Sequence, residues 1–145
     1  MARTYVLSGG TKATNAVLKT LVGLGLPMRT LAVLTTPGRR SGQPRSTPVS
    51  LLIKDGRRYL VAPFGEVGWV RNVRAAGGRA QLKYRGRSET IRLQELPPVD
   101  AAPLLKQYVA ENKITVPYFD AKPDDPVERF AAEASKHPVF EILPG

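Results

Sequence analysis

The chain has 145 residues, the size of one compact domain with a single core. It contains no cysteine, which excludes disulfide stapling, thiolate nucleophiles and cysteine-based metal sites. The formal net charge is +10 and unevenly placed: Arg29–Arg92 holds 14 Lys or Arg against three acids, and the remainder eight against nine. A field focused in this way draws an anionic partner, with phosphate groups, nucleic acid and anionic lipid as the candidates. No apolar run reaches the ~20 residues that span a bilayer. Met1–Gly10 lacks the apolar stretch of a signal peptide, so the expected location is the cytoplasm.

Thr11–Leu26 reads as an amphipathic helix, with Ala13, Val17, Leu21 and Leu24 at helical spacing, Lys12 and Lys19 beside them, and Pro27 ending it. Residues 1–27 are therefore taken as a helical N-terminal unit and 28–145 as the main domain. The helix can pack on the core edge or rest on a membrane surface, which basic amphipathic helices do. Leu31–Thr36 is a short β-prone run closed by Pro37-Gly38. Ser46–Lys54 and Arg57–Pro63 form a hairpin across Asp55-Gly56, the strongest local turn signal in the chain. Pro48 inside the first of these implies an edge or a bulge, where something else can approach the backbone.

Glu66–Ala76 has helical spacing at Val67, Val70 and Val73 and stops at Gly77-Gly78. A second hairpin pairs Arg79–Tyr84 with Arg87–Leu96 across Arg85-Gly86, and Pro97-Pro98 breaks the sheet. Val99–Lys113 reads as a helix, Pro117–Pro126 as a polar connection, Val127–Ser135 as a short helix and Val139–Leu143 as a closing strand. About six hairpin-connected strands with intervening helices argue α+β: an antiparallel split β-barrel with flanking helices.

The most informative segment is Thr35–Arg45. Its glycines bring backbone N–H groups close to a ligand, and Arg39, Arg40 and Arg45 offer forked donors suited to phosphate or carboxylate. Thr36, Ser41 and Gln43 add neutral donors. A Walker loop is excluded because the Gly-Lys-Ser/Thr ending is missing. By composition alone the segment is equally well a solvated basic hairpin loop.

The ordered string Thr35-Thr36, Gly38-Arg39-Arg40-Ser41-Gly42-Gln43-Pro44-Arg45 and Pro48, then Asp55-Gly56, Val61-Ala62 and Gly68-Trp69 with Asn72, resembles the deazaflavin-dependent nitroreductase family. These are actinobacterial, including mycobacterial, split-barrel reductases that use coenzyme F420. The likeness runs from about Leu31 to Gly77. It implies an F420H2-dependent reductase of quinones, activated alkenes or nitroaromatics, with FMN the less favoured coenzyme. Arg39, Arg40, Ser41, Gln43 and Arg45, with Thr36, would receive the coenzyme phosphate and its anionic tail. Thr47, Pro48 and Val49 would run beside the deazaflavin ring. Val61, Ala62 and Pro63 would form the facing wall, ended by Phe64 and Gly65, and Trp69 and Asn72 would sit on a helix cupping the coenzyme.

The resemblance also implies Tyr118 as a lid over the substrate, no metal, and a peripheral place on the inner face of the plasma membrane through the N-terminal helix. His137 reads as structural. Split barrels of related families are often dimers, so a homodimer is a further expectation. The Phe64–Gly68 connection is shorter than in nitroreductase-type members and lacks their proline, leaving the acceptor class open. A protein that holds F420 or a fatty-acid-like ligand without turnover is the alternative. Nucleic-acid binding, suggested by the high pI, has no helix-turn-helix or RNA-recognition signature behind it.

Overall fold

A computed structural model describes residues 28–145. The helix expected over Thr11–Leu26 lies outside the described residues. Six strands, β1 (Leu31–Pro37), β2 (Pro44–Lys54), β3 (Arg57–Val61), β4 (Arg79–Tyr84), β5 (Arg87–Glu95) and β6 (Val139–Pro144), close into an antiparallel barrel in the order β1-β2-β3-β6-β5-β4. Among the described residues three α-helices accompany them: α1 (Gly68–Ala75), α2 (Pro98–Glu111) and α3 (Val127–Glu133). The α+β split-barrel expectation holds, with most boundaries shifted by one or two residues. The helix expected from Glu66 begins at Gly68. The helix expected to run to Ser135 gives way at Ala134 to a 3-10 turn over Ala134–Lys136.

Period-two patterning builds the barrel core. Ala32 and Leu34 of β1, Val49 and Leu51 of β2, Ala80 and Leu82 of β4, Ile91 and Leu93 of β5 and Phe140 and Ile142 of β6 all point inward. One end of this core is closed by Val70 and Val73 of α1. The outward residues Leu52, Tyr59, Val61 and Val139 form a second core with Leu105, Tyr108 and Val109 of α2 and Phe130 of α3. Burial of the Tyr108 phenol pushes its pKa well up.

Both expected hairpins turn through two left-handed residues, Asp55-Gly56 and Arg85-Gly86, the geometry that matches the strands' own twist. Gly78, between α1 and β4, has φ +88° and is bonded by the Leu93 N–H at 2.7 Å. A Cβ there would lie 2.4 Å from the Leu93 carbonyl oxygen, so only glycine fits. A 3-10 helix over Lys113–Tyr118, absent from the sequence expectation, carries the chain from α2 toward the barrel mouth. Among the described residues no helix is long and apolar enough to cross a membrane.

Candidate functional site

β2 has two halves with different neighbours. From Pro44 to Ser50 it pairs with β1, whereas its pairing with β3 begins only at Leu51. β3 ends at Val61, and the following Ala62 N–H donates to the Pro138 carbonyl at 2.8 Å, drawing the chain toward β6. The barrel is thus split between residues 44–50 of β2 and the Ala62–Gly65 segment.

Pro48 fits this seam for a hydrogen-bonding reason. Gly38 N–H donates to the Gln43 carbonyl at 2.7 Å, making these two residues a bonded pair. Antiparallel pairs alternate between bonded and non-bonded. Counting along the β1–β2 register from this pair, Arg45, Thr47 and Val49 bond to β1, while Pro48 opposite Val33 falls at a non-bonded position. A proline there removes no ladder bond, and its carbonyl turns toward the seam. The side chains of Thr47 and Val49 face the barrel interior, so β2 offers the seam backbone rather than those side chains.

The connection from β1 to β2 is a shaped loop. Gly42 N–H donates to the Gly38 carbonyl at 2.8 Å, and Gln43 N–H donates to Ser41 Oγ at 3.2 Å. Gly38 sits so close that a Cβ would meet the Gln43 carbonyl oxygen at 3.1 Å. The loop is tied to α1 through one atom: Asn72 Oδ1 accepts from the Arg39 backbone N–H at 3.2 Å and from Arg39 Nη1 at 3.0 Å. Asn72 is 5% exposed, so its carbonyl oxygen is fully committed to this contact. That role in shaping the loop is not visible in the sequence. The available signal is a polar residue on the buried face of a helix, which must find a partner.

Arg40 and Arg45 are exposed and, among the described residues, meet no acidic side chain. Other arginines are paired, notably Arg74, whose fork bonds Glu95 at 2.8 and 3.0 Å and also reaches Glu66 at 3.1 Å. The Glu95 bonds, with Glu66 behind them, hold the Arg74 guanidinium pKa above its ordinary value, so it fastens α1 to β5 and stays charged. Arg40 and Arg45 thus present their guanidinium groups to solvent. Beneath the loop, the Thr36 and Thr47 hydroxyls are buried and find no protein hydrogen-bond partner. Orphaned hydroxyls at the root of a cationic loop are what a site for a phosphate-bearing group, or its bridging water, would present.

Across the seam, Ala62 and Pro63 are buried and Phe64 and Gly65 half-buried. The Val61 side chain points away from the seam, into the helix-side core. Phe64 stands edge-on to Tyr118 with ring centroids 4.7 Å apart, so the predicted lid residue and the predicted wall residue touch. Trp69 is half-buried against the barrel core, its ring 5.6 Å from that of Phe140. Pro63 accepts a hydrogen bond from His137 Nδ1 at 2.9 Å. Among the described residues no cluster of His, Asp and Glu is arranged to hold a metal ion.

Solved structures share this architecture. An F420-H2 dependent reductase (FDR-A) superposes with TM-score 0.53 at 20% identity, covering 79% of this chain and 94% of its own. A protein described as a domain-swapped dimer gives 0.57 at 20% identity, covering 90% and 94%. An FAD-binding protein from Mesorhizobium loti gives 0.50 at 17% identity, covering 94% and 91%. At these identities the likeness establishes the fold. No curated protein matches in sequence. The model of the F420H(2)-dependent quinone reductase family matches residues 11–122. Spanning most of the chain and the whole seam, this match assigns the protein to that family, as an F420H2-dependent oxidoreductase.

Proposed function

We propose that F420 lies along the seam, its anionic tail on the Gly38–Arg45 loop and its ring between β2 and Ala62–Gly65, and that a quinone is reduced against the Phe64–Tyr118 ring pair. The observation that carries this is the juxtaposition of acid-free Arg40 and Arg45 with a strand edge whose proline carbonyl faces a gap. Reduced F420, when bound, supplies a hydride to the acceptor.

The chain's own residues bind, orient and exclude water. Arg40 and Arg45 offer charge-assisted donors to phosphate and carboxylates, with Arg39 held by Asn72 at the loop's base. The backbone of Ser46–Val49 presents a flat edge to a planar ring. The touching rings of Phe64 and Tyr118 give the acceptor an apolar, aromatic face on which a planar quinone stacks. No nucleophile is required, since the protein's task is approach geometry and a dry pocket.

The test is fluorescence titration with oxidised F420 beside FMN, followed by turnover of menadione with F420H2. F420-selective binding with turnover supports the proposal. Binding without turnover of any quinone, activated alkene or nitroaromatic favours a carrier role, and failure to bind F420 at low salt rejects the site.

A second property has its own support. At the barrel end opposite the loop, Arg29, Lys54, Lys83, Arg85 and Arg87 are exposed and meet no acid among the described residues. Tyr84 Oη donates to the Arg29 carbonyl at 2.6 Å, fixing the entry of residues 28–30 beside the Arg85-Gly86 turn. We infer that this pole, with the preceding amphipathic segment, rests on anionic lipid, near the membrane-dissolved quinone pool. Co-sedimentation with anionic and neutral vesicles measures this directly. Equal pelleting with both, or no effect of Arg85→Glu with Arg87→Glu, dismisses it.

A further inference from the structure

His137, the chain's single histidine, is 3% exposed and sits where the two walls of the acceptor slot meet behind the surface. Its Nδ1 is 2.9 Å from the Pro63 carbonyl oxygen, an acceptor only, so Nδ1 carries a proton. Its Nε2 is 2.7 Å from Glu133 Oε1. That carboxylate is itself held by two backbone donors: Asp120 N–H to Oε1 at 3.1 Å and Ala121 N–H to Oε2 at 2.7 Å. These donors hold the carboxylate in place beside the ring. His137 and Glu133 thus form a buried hydrogen-bonded pair whose other bonding positions are taken by backbone groups of two further segments. The other charged groups on the adjoining segments, Lys136 and Asp120, are exposed and face each other at 3.5 Å. The ring is further fixed by stacking on Phe119, with centroids 3.8 Å apart and planes 20° from parallel.

The partners of this pair belong to two separate stretches. Pro63 immediately precedes Phe64, on the wall that follows β3. Phe119, Asp120 and Ala121 immediately follow Tyr118. One pair of side chains on the α3–β6 connection thus holds the chain beside both aromatic rings of the slot. We propose that His137 and Glu133 are positioning residues for acceptor reduction: a hydrogen-bonded brace that sets the placement of Phe64 and Tyr118. This rests on the placement of the acceptor against those two rings. The brace touches neither the basic loop nor β2 and meets the coenzyme site only at the Pro63 carbonyl, so the tail contacts that carry most of the coenzyme affinity do not depend on it.

Two measurements test the brace. In the intact chain, imidazole 15N–1H correlation spectra report the one histidine without ambiguity. An Nδ1 proton protected from solvent exchange, with the ring resonances displaced in Glu133→Gln, is the expected result. A ring whose Nδ1 proton exchanges freely in the wild-type chain, or whose resonances are the same in Glu133→Gln, overturns the brace. In steady-state kinetics with F420H2 and menadione, Glu133→Gln and His137→Gln should leave F420 affinity within about twofold. They should lower kcat/KM for menadione by about tenfold or more, since small misplacements of a reacting partner are costly. Folded variants with unchanged kcat/KM, while Phe64→Ala and Tyr118→Ala do raise the menadione KM, overturn the brace. Unchanged KM in Phe64→Ala and Tyr118→Ala instead overturns the acceptor placement, and the brace with it.

Discussion

Asn72→Ala isolates the connection between the basic loop and the barrel. In the wild-type chain a single buried oxygen accepts from the Arg39 N–H at 3.2 Å and from Arg39 Nη1 at 3.0 Å. A neutral backbone bond contributes about 1 kcal/mol net and one to a charged donor about 1.5–3 kcal/mol. The Arg39 side chain is exposed, so solvent screening reduces the second figure, and about 1.5–2.5 kcal/mol remains in total. If the loop must hold its shape to receive the coenzyme tail, this loss appears in binding. At about 1.4 kcal/mol per decade, F420 affinity falls roughly ten- to fifty-fold. The global cost is smaller in consequence, a melting temperature lower by about 3–8 °C at this chain length. Asn72→Asp keeps the acceptor oxygen, so it retains stability while adding a negative charge beside the anion site. Its affinity loss should therefore grow as salt is lowered. Fluorescence titration with F420 and thermal denaturation measure both quantities. An Asn72→Ala variant that binds F420 as tightly as wild type, at any salt concentration, refutes the reasoning.

Arg40→Ala and Arg45→Ala should each weaken F420 binding by about tenfold or more at low salt, because each removes a charge-assisted contact of about 1.5–3 kcal/mol. Unchanged affinity in both would reject the loop as the tail site. Gly78→Ala forces a Cβ against the Leu93 carbonyl from a left-handed backbone, and should cost at least about 2–4 kcal/mol in a denaturant titration. A midpoint equal to wild type would mean that the β4–β5 corner adjusts freely. The Tyr108 phenol is pushed up by burial, so the native state retains its proton after the unfolded chain has lost it. Stability from this group is complete below the ordinary phenol pKa of about 10 and is lost as pH rises beyond it. Denaturation at pH values on either side of 10 checks the sign, and Tyr108→Phe should flatten the alkaline slope.

Much of the barrel could be read locally because its signals are local. Asp55-Gly56 and Arg85-Gly86 place two hairpins, and the alternation through Ile91 and Leu93 shows which face of β5 is buried. The Lys113–Tyr118 3-10 helix has no such signal: Pro117 lies within it, and six residues are too few to display a period. The shaped β1–β2 loop was legible because its arginines, glycines and serine are contiguous. The seam was legible only in part. Pro48 announced an interrupted strand, but which carbonyl faces the gap follows from the register with β1, a long-range fact. Val61 was expected on the coenzyme wall, whereas its side chain belongs to the helix-side core. The work of Asn72 and of the Glu133–His137 pair depends on residues 33 and 74 positions away. No spacing rule predicts such partners.

The topology separates two tasks that a reductase must perform on one ring system. The proposed tail site lies on the β1–β2 loop, fixed through Asn72 to α1, which Arg74 in turn fastens to β5. The proposed acceptor site lies on the Ala62–Gly65 and Tyr118–Ala121 segments, fixed from α3 and its connection to β6 through Glu133 and His137. Only the coenzyme ring would touch both halves, through the split in β2's pairing. The mutational consequence is independence: substitutions on the loop side should move F420 affinity with little change in acceptor KM at saturating coenzyme, and substitutions on the brace side should do the reverse. Energies for distant sites without shared partners add. Asn72→Ala combined with Glu133→Gln should therefore show the sum of their separate losses in kcat/KM, measured at subsaturating F420H2. A double variant falling well short of that sum would mean the two halves move together, and that the seam closes as one element around its ligand.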